Sequence, residues 1–399
     1  MIPKYQTAIL VLFASIQWGC GDDRDSDEAV RPDSAETQNT GNEIALESLA
    51  LPADFPTPNV PEDNVPTDEK IELGRYLFYD TKLSGNQTYS CGTCHQQALA
   101  FTDGRPVAVG STSDRHHLGS MSLVNAAYAA TLGWANPTLT TLEQQALVPM
   151  FGEEPVELGL SAITEEELLD RFREDDRYQE MFATAFPTDD DPITVGNIAR
   201  AIATFERTII SNDSPYDRYQ AGDREAMSDS AVRGMDLFFS EKVECFHCHG
   251  GFNFSDSIAS ADLPFAEKPF HNNGMYNLEG QGAYPDSQGI FDLTGEREHR
   301  GKFKAPTLRN IQVTAPYLHD GSVASLEELV DLYAAGGRTI TEGPYEGDGT
   351  QHPNKSVFIV GFELSKQEKA DLVAFLEALT DETLLTNPAF KNPFDDDED

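Results

Sequence analysis

Two copies of C-x-x-C-H, Cys91-Gly-Thr-Cys94-His95 and Cys245-Phe-His-Cys248-His249, constrain this chain more than any other feature. Two thiols one helical turn apart add to the two vinyl groups of a haem, and the histidine that follows is placed to ligate the iron. A zinc site would bring paired C-x-x-C units to one ion, whereas Cys91 and Cys245 lie 154 residues apart, about one domain length. A redox dithiol or a chance match does not account for the same five-residue pattern twice. The sequence therefore predicts two covalently bound c-type haems, one per domain.

An internal repeat supports that division. Gly74-Arg-Tyr-Leu-Phe-Tyr79 precedes the first motif and Gly234-Met-Asp-Leu-Phe-Phe239 the second, each closing a helix-compatible stretch. Other segments also read as helices. Thr194 opens a run with Ile198, Ile202, Phe205 and Ile209 on one face, Ser325 and Glu328 form a capping box, and Ser365 with Glu368 opens a helix burying Leu372, Phe375, Leu376 and Leu379. Strand-like alternation is scarce, and the stretch from Gly250 to Gly301 is rich in Gly, Asn, Asp and Ser, suited to covering haem edges. The expected fold is mainly α: two duplicated cytochrome c-like haem domains with long loops, at residues 45–220 and 221–385.

Composition settles what surrounds this core. A net charge of −40 repels nucleic acid and anionic lipid, so nucleic-acid binding is excluded. With 39% hydrophobic residues the middle can bury a core, and five cysteines are too few for a disulfide scaffold. Lys4 precedes an apolar run from Ala8 to Ile16, long enough for a signal peptide over 1–19 and too short for a permanent span. Gly19-Cys20 resembles a bacterial lipobox, so Cys20 is a candidate lipid anchor, with simple cleavage nearby as the alternative. Either outcome gives an extracytoplasmic protein, expected in the periplasm. Residues 20–44 read as a disordered acidic tether, and 386–399 as an acidic tail.

Axial ligation separates an electron carrier, with both irons closed, from an enzyme with one iron open. Here the residues resemble a known group. Lys304-Ala-Pro-Thr-Leu-Arg-Asn-Ile311 and Thr314-Ala-Pro-Tyr-Leu-His-Asp-Gly321 are similar to the second-domain signature of the di-haem cytochrome c peroxidase and MauG superfamily. Trp134, Leu142-Glu-Gln-Gln-Ala146 and Pro155-Val-Glu-Leu158 are similar to its first-domain signature, and the likeness runs from Leu51 to Leu385. Peroxidases of this group place a distal His at the position that falls on Ser111 here; His116 and His117 are the alternatives in the same loop. They also place a Met on the second haem, where this chain has Tyr333, as MauG and the MbnH-like enzymes do, with Met275 as a rival ligand. Leu83-Ser-Gly-Asn86, Phe101-Thr-Asp-Gly104, Trp134-Ala-Asn-Pro137 and Ser214-Pro-Tyr-Asp-Arg-Tyr219 resemble the MbnH-like enzymes more than MauG.

The resemblance implies a set of roles. His95 becomes the proximal ligand of an open first haem that meets hydrogen peroxide, with Glu157 as distal acid and base and Gln145 orienting it. His249 and Tyr333 close the second haem, and the two share oxidising equivalents through Trp134 in a high-valent bis-haem state. A calcium ion held partly by the carbonyls of Thr314 and Pro316 is expected, although the group's Asn ligand falls near Gly119. Val243 stands where MauG has a surface Trp relay, leaving Tyr276, Tyr284 and Tyr317 as other exits. The implied activity is oxidation of a partner protein's tryptophan to kynurenine, the partner being an exported, copper-binding MbnP-like protein. The competing readings are peroxide detoxification with electrons from a small redox protein, and a non-enzymatic di-haem carrier.

Overall fold

The computed structural model describes residues 46–395. The apolar run, Cys20, the acidic tether and residues 396–399 lie outside the described residues. Eight helices place the site: α1 (Asp68–Tyr79), α2 (Cys91–Cys94), α3 (Leu142–Phe151), α4 (Val195–Glu206), α5 (Asp229–Phe238), α6 (Phe246–His249), α7 (Leu326–Ala334) and α8 (Lys366–Glu377). Among the described residues, the one sheet is a two-stranded antiparallel pair, Thr339–Ile340 with Gly347–Asp348. The expected mainly helical character holds. No described helix is long and apolar enough to cross a membrane.

Each half is built on one crossed helix pair. Helix α1 begins where the Thr67 hydroxyl accepts the Lys70 N–H, and it buries Leu73, Gly74, Leu77 and Phe78 against α4. Helix α4 starts at Thr194, whose hydroxyl accepts the Asn197 N–H. In the second half, α5 crosses α8, which starts with the reciprocal Ser365–Glu368 capping box. The repeated glycines stand at the two crossings. A Cβ at Gly74 would lie 2.0 Å from the Ala201 carbonyl oxygen, and one at Gly234 would lie 1.9 Å from that of Asp371. Only glycine lets the two backbones approach so closely.

Gly234→Ala is therefore expected to lower the unfolding free energy by about 1–3 kcal/mol, because the facing atom is backbone and the helices must separate. Gly196→Ala, on α4 with nothing closer than 3.7 Å, should be neutral or stabilise by up to about 1 kcal/mol. Urea unfolding of the holoprotein checks the pair. A Gly234→Ala variant as stable as the native protein would remove the close-approach explanation of the repeat.

Two hydrophobic cores follow from these pairs. The first includes Leu77, Phe78, Phe101, Ile198, Ile202, Phe205 and Ile209; the second includes Phe238, Phe254, Leu329, Leu372, Phe375, Leu376 and Leu379. Three sequence expectations need correction. Residues 386–399 were expected to be a charged tail, yet Phe390 is buried in the first core, its ring 6.2 Å from that of Phe101 and its carbonyl accepting the Tyr79 hydroxyl. Leu384, assigned to the second domain by position, packs in that first core as well. The Ser325 box is half formed: Ser325 accepts the Glu328 N–H, but Glu328 turns its carboxylate to the N–H of Ala324.

Candidate haem cavities

Helix α2 presents Cys91 and Cys94 from one turn, and the Thr93 hydroxyl between them accepts the N–H of Ser90 to start that turn. Both thiols are free. Burial pushes both thiols up, Cys94 to about 11, so neither is a thiolate at neutral pH. The His95 Nδ1–H donates to the Phe101 carbonyl at 2.8 Å, which leaves the Nε2 lone pair for the cavity. Burial also lowers the pKa of His95, favouring the neutral imidazole that binds a metal. The second motif repeats the device, with His249 Nδ1 donating to Phe254 O at 2.9 Å. To aim these carbonyls, Phe101 and Phe254 both take left-handed backbone, φ 61° and 49°. A bulky residue held there is a strain that functional sites tend to store.

Gln145, Glu157 and His116 share the wall of the His95 cavity. Gln145 stands on α3, and Pro149 four residues on has no N–H to give its carbonyl. The Glu157 segment is tied down on both sides: Ser111 N–H donates to Glu157 O at 2.7 Å, and Leu158 N–H to Pro149 O at 2.9 Å. Burial raises the pKa of the Glu157 carboxyl. His116 accepts the Leu118 N–H at Nδ1 and points Nε2 to within 3.9 Å of Glu157. His117 is exposed. Ser111, in place of a distal His, turns its hydroxyl to Leu158 O at 3.2 Å.

The other cavity is lined by Cys245, Cys248, His249, Tyr333 and Trp134. Tyr333 comes from α7, and burial pushes its phenol up to about 12; its oxygen lies 3.5 Å from Asn273 Nδ2. Met275, the rival ligand, is fully buried in the second core and is not on this wall. Trp134 donates from Nε1 to Gly119 O at 2.8 Å, and its own carbonyl accepts the Lys304 N–H. Burial lowers His271, but the Asp256 carboxylate at 2.6 Å and the Cys248 sulfur together outweigh it, lifting the imidazole to about 10. Thr314, Pro316 and Tyr317 also reach the wall, as does Val243, whereas Tyr276 and Tyr284 stand off it. Thr102 lies on this wall next to Phe101, the carbonyl partner of His95, so one short stretch of chain touches both sites.

Each cavity thus brings together two free thiols and an imidazole with its Nε2 available, the donor set that a covalent haem needs. Trp134 and Tyr333 belong to the second cavity, Gln145 and Glu157 to the first. Sequence reasoning passed over Glu206, on the first wall, although an acid four residues after Ile202 on an apolar helical face was a visible signal.

The comparisons agree with this construction. The chain belongs to the di-haem cytochrome c peroxidase and MauG family: the family model "Di-haem cytochrome c peroxidase" matches residues 68–225, and full-length relatives extend the match. Cytochrome-c peroxidase IdrP1 of Pseudomonas sp. (strain SCT) is 35% identical over 346 residues, covering 82% of this chain and 85% of that one. The methylamine utilization protein MauG of Methylophilus methylotrophus is 31% identical over 347 residues, covering 86% and 91%. A crystal structure of a MauG-like protein associated with microbial copper homeostasis superposes with TM-score 0.85 at 49% identity, covering 86% of this chain and 98% of that one. The chain is a peroxidase-type oxidoreductase, and its family implies two c-type haems.

Proposed function

We propose that this enzyme uses hydrogen peroxide to oxidise a tryptophan of an exported partner protein to kynurenine. The observation that carries the reading is Tyr333 on the wall of the His249 cavity, with Met275 held away from it. The similarity to a MauG-like protein associated with copper homeostasis supports a copper-binding partner. The haems supply peroxide activation at the His95 site and storage of an oxidising equivalent at the His249 site. His95 would hold the first iron, and Glu157, on the same cavity wall, would move a proton between peroxide oxygens while Gln145 orients it. His249 and Tyr333, on the wall of the other cavity, would hold the second iron, and Trp134 beside them would join the sites electronically. Thr314 and Pro316 would contribute backbone carbonyls to the calcium ion that the resemblance implies. The apolar run before Gly19-Cys20 supports export to the periplasm, with Cys20 a candidate lipid anchor and simple cleavage nearby the alternative.

The deciding experiment incubates holoenzyme, peroxide and the exported protein encoded beside it. One tryptophan of the partner should gain oxygen and lose a carbon, read by peptide mass. An unchanged partner, together with catalytic oxidation of a reduced small cytochrome, would replace this reading with peroxide scavenging, the reaction named for IdrP1-type relatives.

A further inference from the structure

Helix α4 ends in an acid that has no use in the mechanism above. Glu206 is 4% exposed, lines the His95 cavity, and has a carboxyl oxygen, Oε2, with no hydrogen-bond partner among the described residues. The adjacent cation is committed elsewhere. Arg207 is ion-paired with Glu143, Nη2 donating to Oε2 at 2.8 Å and Nη1 lying 2.8 Å from Oε1, and Glu143 also accepts Asn64 Nδ2 at 2.6 Å. Glu143, on α3, offsets part of the attraction Arg207 offers and repels a second anion. Burial, outweighing Arg207, pushes Glu206 up to about 8. The other titratable groups on this wall are Tyr89, Asp114, His116 and Glu157 from the loops, the two thiols of α2 and His95 just after it. None of them is a fixed cation.

A buried polar group without a partner costs about 1–3 kcal/mol, and native proteins keep few of them. Glu206 lies towards Cys91, whose thiol it pushes up when charged. We propose that Glu206 is a second proton-holding residue of the first haem cavity, whose O–H serves a water or peroxide oxygen held within that cavity. The proposal rests on reading the His95 cavity as the peroxide site. It adds no net proton: Glu206 keeps its hydrogen while donating the hydrogen bond.

Infrared difference spectra of the holoprotein, oxidised minus reduced, test this without any partner protein. At pH 6.5 the native spectrum should contain the carbonyl band of a protonated carboxylic acid that shifts in deuterium oxide. Glu206→Gln should remove the band, and Glu157→Gln should keep it. In the native protein the band should disappear as pH rises, and where Glu206→Gln fails to take up haem the same pH-sensitive band should still be present in Glu157→Gln, its absence there overturning the assignment. A native spectrum with no such band, or a band that survives in Glu206→Gln, overturns the assignment. Loss of the band only in Glu157→Gln transfers the held proton to Glu157 and overturns it equally. Peroxide turnover is measured on the same samples, so failure of the peroxide reading is seen separately from failure of this one.

Discussion

Glu157→Gln is expected to slow peroxide cleavage by ~10²–10⁴-fold while both haems stay attached, the range over which a positioned acid–base group contributes. The carboxamide has nearly the same shape, and the backbone anchors Ser111 N–H to Glu157 O and Leu158 N–H to Pro149 O remain. What is lost is the exchangeable proton. Because burial alone raises the Glu157 pKa, its basic form is reached at a higher pH than for an exposed glutamate, and the native rate should climb with pH through that titration. Stopped-flow absorbance after mixing with peroxide reads both the rate and its pH profile. An unchanged rate with the same profile would move the acid–base role to His116, whose Nε2 faces the same space at 3.9 Å.

What could be read in the sequence was whatever local chemistry dictates. The haem-binding turns, the caps at Thr194 and Ser365 and the apolar faces of α4 and α8 all depend on residues within two turns of each other. The paired glycines were visible as a repeat, but their purpose is not local: it appears only when α1 meets Ala201 and α5 meets Asp371. The same limit hid Phe390, which sits among acidic and polar residues and reads as a tail until Phe101 and Phe205 close over it. Glu328 shows a third kind of miss, since its carboxylate had two backbone N–H groups within reach and the box motif names only one. At the site, Glu157 and Gln145 were found through a resemblance, whereas Glu206 and the orientation of His116 required the cavity itself.

Tyr333→Phe should leave both haems bound and abolish partner oxidation. Attachment depends on Cys91, Cys94, Cys245 and Cys248, none of which the substitution touches, and the ring that fills the α7 face is retained. The phenol has only a 3.5 Å approach from Asn273, so losing the hydroxyl removes at most about 0.5–1.5 kcal/mol of folding stability. Its chemical effect is far larger. Burial pushes the phenol up to about 12, so a phenolate would form in this cavity only with a cation against the oxygen, the charge that a bound iron would supply. Phenylalanine can supply neither charge nor ligand. Electron paramagnetic resonance of the native ferric protein is expected to show one high-spin and one low-spin haem, because Ser111 is bonded to Leu158 O and offers the first iron nothing. In Tyr333→Phe the low-spin signal should vanish while the high-spin signal grows. Met275 cannot rescue it without leaving the second core, where it is fully buried off the cavity wall. Full partner oxidation by the variant, or a low-spin signal that persists in it, would show that another residue closes the second iron.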